Sequence, residues 1–165
     1  MLICCLLAFV QGSLFAQMFL SQRNRDIDDN IGYNEGVYIL SNYSAPSLFA
    51  PEASSLDELL QRNVEAFYFY LRKDTVSNAL MLRNPDGNYT PFSEALASVK
   101  RRLTENDKAV ITLFLDYVVE TDMNQPFREI GLLSYVHEYD NRTGWPTIKN
   151  MVEANRRLVV FEVQH

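Results

Sequence analysis

The side chains that titrate near neutrality are few: His137 and His165 are the only histidines in the chain, and imidazole is the usual carrier of a proton in catalysis at physiological pH. His137 stands beside Glu138, near the end of a predicted helix, which suits a surface or capping residue. His165 follows the last apolar run. Asp116 closes another such run, AVITLFLD, and with His165 makes the one pair of ligand types that could meet. A metal centre needs more converging ligands than that, so no metal and no cofactor are expected. Asp26, Asp28 and Asp29 cluster, but without the Gly and closing Glu of a calcium loop. They are read as part of a solvated polar leader. Three Asn-x-Ser/Thr patterns, at Asn42, Asn88 and Asn141, could accept a glycan in a secretory compartment.

Composition bounds the setting of this chemistry. Residues 1–16, MLICCLLAFVQGSLFA, are apolar and uncharged and read as a signal peptide. The run is too short for the ~20 residues of a spanning helix, and Gln11 and Gly12 interrupt it. The mature chain is therefore expected to be secreted or luminal, with no transmembrane span. Cys4 and Cys5 both fall in this run, so a disulfide framework is excluded and packing must supply the core. The net charge is −6, with no basic run interleaved with aromatics, which argues against nucleic acid as a partner. The nine Tyr and ten Phe are assigned to core and interface.

The elements that would position these residues alternate. After a polar leader, 17–35, a domain spans 36–165. Gly36–Leu40 reads as the first strand, and a loop containing Pro46 and Pro51 follows it. Ser55 caps a helix, with Glu58 completing a capping box. Val64–Leu71 is the second strand, Ala79–Leu82 a short third. Thr90 is expected to cap the next helix, with Pro91 in its first turn. Ala109–Leu115 is the fourth strand, and a helix is expected over 126–136. Gly144-Trp145-Pro146-Thr147 turns into a last helix, which ends at Arg156 and Arg157, where positive charge is favourable. Leu158–Phe161 is then a strand buried on both faces. The order implies an α/β fold: an incomplete TIM-barrel-like array of about five consecutive parallel strands joined by helical crossovers. A closed eight-stranded barrel would need ~250 residues.

The stretch GWPTIKNMVEANRRLVVFE resembles the fifth-strand region of phosphatidylinositol-specific phospholipase C-like phosphodiesterases, and AVITLFLDYV resembles their fourth strand. SNYSAP looks like a decayed form of their His-Asn-Ser-Tyr signature. The resemblance implies a TIM-type barrel that cleaves a phosphodiester, with one His as base, a second as acid, and a positive centre at the phosphate. Carried over position by position, the set is mostly missing. Ser41-Asn42 stands where the first His is expected, and Arg83-Asn84 where the second is. Tyr70 replaces a carboxylate and Glu65 an Arg, while Asp116 stands in for a Glu. The resemblance therefore implies a phospholipase C-like domain that has lost catalysis, with a phospholipid or other phosphodiester as its ligand. The alternatives are an active enzyme using Arg83, Asp116 and His165, and an unrelated α/β binding domain. Nothing in the sequence fixes the oligomeric state.

Overall fold

The computed structural model describes residues 30–36, 40–44, 55–117 and 122–163. The expected signal peptide, the aspartates of the leader, Pro46, Pro51 and His165 lie outside the described residues.

The strands are β1 Leu40–Asn42, β2 Ala66–Lys73, β3 Leu80–Arg83, β4 Tyr89–Pro91, β5 Ile111–Asp116 and β6 Leu158–Val163. The helices are α1 Leu56–Gln61, α2 Phe92–Glu105, α3 Asn124–Ile130 and α4 Ile148–Glu153. Four strands run parallel in the order β1-β2-β5-β6. Among the described residues β1 and β6 do not pair, so the sheet is an open barrel-like array. The expected α/β class and incomplete array are what the structure shows.

One strand departs from the expected parallel order. β3 is antiparallel to β2 and forms a hairpin with β4. Residues 74–79, closed by Asp74 N donating to Ala79 O, are enough to reverse the chain between β2 and β3 but not to cross over the sheet, and Asn84-Pro85-Asp86-Gly87 reverses it again into β4. β2 is long enough to serve two neighbours on this account. Its first part pairs with β1 and β5, and Leu71–Lys73 pairs with β3.

Alternation then divides the sheet into two faces. Phe67, Phe69, Leu71, Leu113 and Leu115 pack against α1, α2 and α3 through Leu60, Phe92, Leu96, Val99, Leu103 and Phe127. Each of the fully buried phenylalanines is worth about 2 kcal/mol of transfer free energy. On the other face a smaller cluster joins Tyr33, Val110, Met151 and Val159, with Trp145 and Phe161 against it. The Tyr33 hydroxyl meets Thr112 Oγ1 at 2.8 Å, so the one polar side chain buried mid-strand in β5 is satisfied.

Several boundaries differ from expectation for local reasons. Ser55 and Glu58 form the expected capping box on α1. Pro91, rather than Thr90, is the cap residue of α2. Thr90 belongs to β4, where its hydroxyl donates to Asn84 Oδ1 at 3.2 Å. The helix expected over 126–136 stops at Ile130, because Gly131 adopts φ 75°. A 3-10 turn, Leu133–Tyr135, follows. In β6 only Leu158 and Val159 are buried, since it is an edge strand over most of its length.

Arg157 was expected to complement its own helix end. It instead lies buried at 4% exposure and reaches across to α2 and the turn after it. Nη2 donates to Leu103 O at 2.8 Å, and Nη1 to Asn106 O at 2.7 Å and Ala109 O at 3.3 Å. Nε and Nη2 both donate to Asn155 Oδ1. The planar fork thus satisfies the carbonyls that α2 leaves open at its C-terminus. Arg157→Met should cost on the order of 3 kcal/mol, because these buried acceptors lose their donors. Lys should not rescue it, since one ammonium cannot span the two sides of the fork. Urea unfolding of both variants measures this.

His137, read from sequence as a surface or cap residue, is half-buried against Trp145, with ring centroids 5.7 Å apart. Its Nε2 is buried with no hydrogen-bond partner. Burial, and then the charge of Arg156, hold its pKa below the usual 6.5, against a smaller opposing pull from Glu138. A proton therefore binds the unfolded chain more readily than the folded one. The stability from neutral His137 is present above the unfolded value and is lost as pH falls through the folded one. Melting temperature should drop more between about pH 7.5 and about pH 5 in the parent than in His137→Gln.

Candidate functional site

In a parallel barrel-like array the chemistry belongs at the C-terminal ends of the strands, which here is on the face away from α1, α2 and α3. The register shows which side chains reach that place. Asn42, Tyr68, Phe114 and Phe161 form one row across β1, β2, β5 and β6. Two residues further along, Tyr70, Asp116 and Val163 form the next row on the same face. Of the sequence candidates, Asn42 and Asp116 therefore share this face. Arg83 joins them from the hairpin, because β3 alternates in register with β2 and Met81 lies opposite Arg72. Asn84 does not join. It is a turn residue whose Oδ1 accepts from Thr90 and whose backbone pairs with Asn88 and Gly87. Glu65 precedes β2, at the opposite end of the sheet from Asp116, so it does not stand at the site.

Asp116 is 6% exposed, and a buried carboxylate needs donors. Tyr68 provides one: its hydroxyl donates to Asp116 Oδ2. Burial, reinforced by the Asp116 bond and charge, pushes the Tyr68 phenol up to about 12. Tyr68 thus stays a neutral donor across the physiological range and does not serve as a base. The sequence reading missed Tyr68. Its signal was the alternation of Tyr68 and Tyr70 on one strand, which places both phenols on the face of Asp116.

Ser44, also missed, holds the branch point of the sheet. Its hydroxyl donates to Arg83 O at 2.9 Å and accepts from Tyr70 N at 2.8 Å. It is 3% exposed and bridges β2 and β3 where β1 ends and the hairpin begins. Arg83 is thereby fixed through its backbone beside Tyr70. Its guanidinium has no hydrogen-bond or ion-pair partner among the described residues. Arg72, exposed on the same face, lies over the Tyr89 ring at 3.5 Å. Arginine thus stands on this face at two positions, with the buried Asp116 in the row of Tyr70.

Among the described residues no group of three His, Cys, Asp or Glu side chains could hold a metal ion. No helix of the described residues is long and apolar enough to cross a membrane. In a pH titration followed by tyrosine absorbance, Tyr68→Phe should remove the phenol that ionises near pH 12. Asp116→Asn should shift that phenol downward, since the neighbouring charge is gone while the burial remains.

The comparisons agree with this architecture. A solved phosphatidylinositol-specific phospholipase C of Staphylococcus aureus superposes with a TM-score of 0.58 at 16% identity, over 87% of this chain and 51% of that one. A PI-PLC X domain-containing protein of Arabidopsis thaliana is 26% identical over 82% of this chain. The chain spans only 37% of that relative's length. The sequence model described as PI-PLC X 1 matches residues 83–165, just over half of the chain, from the Arg83 that stands on the site face to the last residue. The parallel array, the placement of its polar face and this match together make the chain a member of the PI-PLC X domain family.

Proposed function

We propose that this PI-PLC X-family domain binds a phosphodiester, of the phospholipid or inositol phosphate class, without cleaving it. The observation that carries the reading is the composition of the site face. Arg83 and Arg72 stand on it, Asn42 offers an amide donor, the one proton of the Tyr68 hydroxyl is given to Asp116, and no histidine stands among its described residues. Two arginines suit an anion with several oxygens, since guanidinium donates in a planar fork. In-line cleavage needs a group that removes a proton from the attacking hydroxyl and another that returns one to the leaving oxygen. Asn42 does not titrate. Tyr68 holds its proton to about pH 12, and arginine stays charged throughout.

The reading extends to location. The apolar run at 1–16 serves as a secretory leader, and the mature domain meets its ligand on the luminal or extracellular side.

Vesicle co-sedimentation with phosphatidylinositol, and calorimetry with inositol phosphates, test the binding. Arg83→Ala should weaken it about tenfold, the usual worth of one charge-assisted contact. Phosphodiesterase assays on inositol phospholipid and glycerophosphodiester substrates should show no turnover. Turnover abolished by Asp116→Ala would establish an active enzyme of unusual constellation, with Arg83, Asp116 and His165 as its carriers. Absence of binding to any phosphodiester would favour a domain that recognises something else.

A further inference from the structure

The three glycosylation patterns are equal as sequence and unequal as structure. In Asn42-Tyr43-Ser44 the acceptor lies on the site face, in the row of Tyr68. The Ser44 hydroxyl that the pattern requires is buried and bonded to Arg83 O and Tyr70 N. In Asn88-Tyr89-Thr90 the acceptor amide donates to Asp86 Oδ2 at 2.8 Å, and the Thr90 hydroxyl donates to Asn84. Asn141-Arg142-Thr143 differs in both respects. All three residues are exposed at the tip of a reversal closed by the antiparallel bridge between Asp140 and Gly144. Gly144 takes φ 70°, which glycine adopts without cost, and so the tip is tight. The Asn141 side-chain amide has no hydrogen bond among the described residues.

A second observation lies beside this tip. Tyr139 is one of two large hydrophobic side chains exposed among the described residues, at 53%. One face of its ring rests on Trp145, with centroids 4.7 Å apart, and Trp145 is braced in turn by Tyr33 at 4.7 Å and Phe161 at 6.0 Å. Tyr139 stands two residues before Asn141, and Thr143 two residues after it. A ring braced by Trp145 yet 53% exposed leaves apolar surface open to solvent two residues from the acceptor. The axial C–H bonds of a pyranose pack against aromatic faces of this kind, for the same electrostatic reason that positive edges meet ring faces in aromatic pairs.

We propose that Asn141 is the N-glycan acceptor of this protein, and that Tyr139 is the platform for the first sugar. The proposal rests on the secretory reading of residues 1–16. The step is a group transfer from a lipid-diphosphate-linked oligosaccharide. Asn141 Nδ2 forms a bond to C1 of the first sugar, the C1–oxygen bond to diphosphate breaks, the lipid diphosphate leaves with the electron pair, and Nδ2 loses a proton. Nothing is oxidised or reduced. The tight tip presents the amide, and Trp145 keeps the tyrosine ring in place beneath the sugar.

The test expresses the full chain in a eukaryotic cell, once with its own leader and once behind a leader of proven function, with peptide mapping by mass. The expected result is sugar on Asn141 in both arms, with Asn42 and Asn88 bare and all sugar lost in Asn141→Gln. Enzymatic removal of the glycan should lower the melting temperature by about 3 °C, and this difference should vanish in Tyr139→Ala, which still carries the sugar. Sugar on Asn42 or Asn88 in place of Asn141, or none behind the proven leader, would overturn the acceptor. A melting difference unchanged in Tyr139→Ala would overturn the platform. Sugar behind the proven leader alone would support the acceptor geometry and sink the secretory reading, a failure separate from that of phosphodiester binding.

Discussion

The guanidinium of Arg157 sits where α2, β5 and β6 meet, and what it satisfies there determines how the rest of the sheet is placed. Three main-chain carbonyls and Asn155 Oδ1 converge on its donors. Arg157 O meanwhile accepts from Ile111 N at 2.8 Å, the first bond of the β5–β6 ladder. One residue therefore closes the end of the main helix and starts the register of the two strands beneath it. With Ile111 opposite Leu158, the last row is Asp116 opposite Val163 and Tyr70. A slip by one residue would turn Asp116 toward the helices and a leucine toward the site. The position of Asp116 thus follows from a ladder that starts at the Arg157 main-chain carbonyl, about five residues' rise away along the strand.

The larger apolar cluster and the candidate site occupy different faces of the same strands, while the smaller cluster shares the site face through Phe161. The large apolar cluster lies under the helices, and Asn42, Tyr68, Tyr70 and Asp116 point away from it. A chain can in this way keep a family's fold while side chains on the other face of its strands change. Fold similarity alone would say little about chemistry for this reason. The row-by-row content of the polar face is what bears on it.

Much of this was legible from the chain. Ser55 with Glu58 announces its helix through local hydrogen bonds and that capping box forms as read, and the last helix starts just after Thr147, whose hydroxyl caps it. AVITLFLD and LVVF announce buried strands through apolar runs. The direction of β3 was not legible in the same way. A run of four residues carries no sign of its partner, and only the shortness of the connection at 74–79 argues that β3 runs back along β2. Arg157 was misplaced because a charge at a helix end has an obvious local role, whereas its observed acceptors are some fifty residues away in sequence. Ser44 and Tyr68 act through contacts across strands, and such contacts appear only once register is known.

The pairing of Tyr68 with Asp116 bears on what the site has become. A carboxylate at 6% exposure would be costly without a donor. A histidine in charge-relay contact could supply one and remain able to exchange its proton. A phenol supplies one and does not, because burial and the carboxylate itself raise its pKa to about 12. The same bond that makes Asp116 tolerable thereby removes the nearest hydroxyl from proton transfer. Arg83, held through its backbone by Ser44, keeps positive charge on this face without adding a titrating group. Among the described residues of this face, the proposed reading of binding without turnover therefore rests on fixed charge and on a phenol that holds its proton.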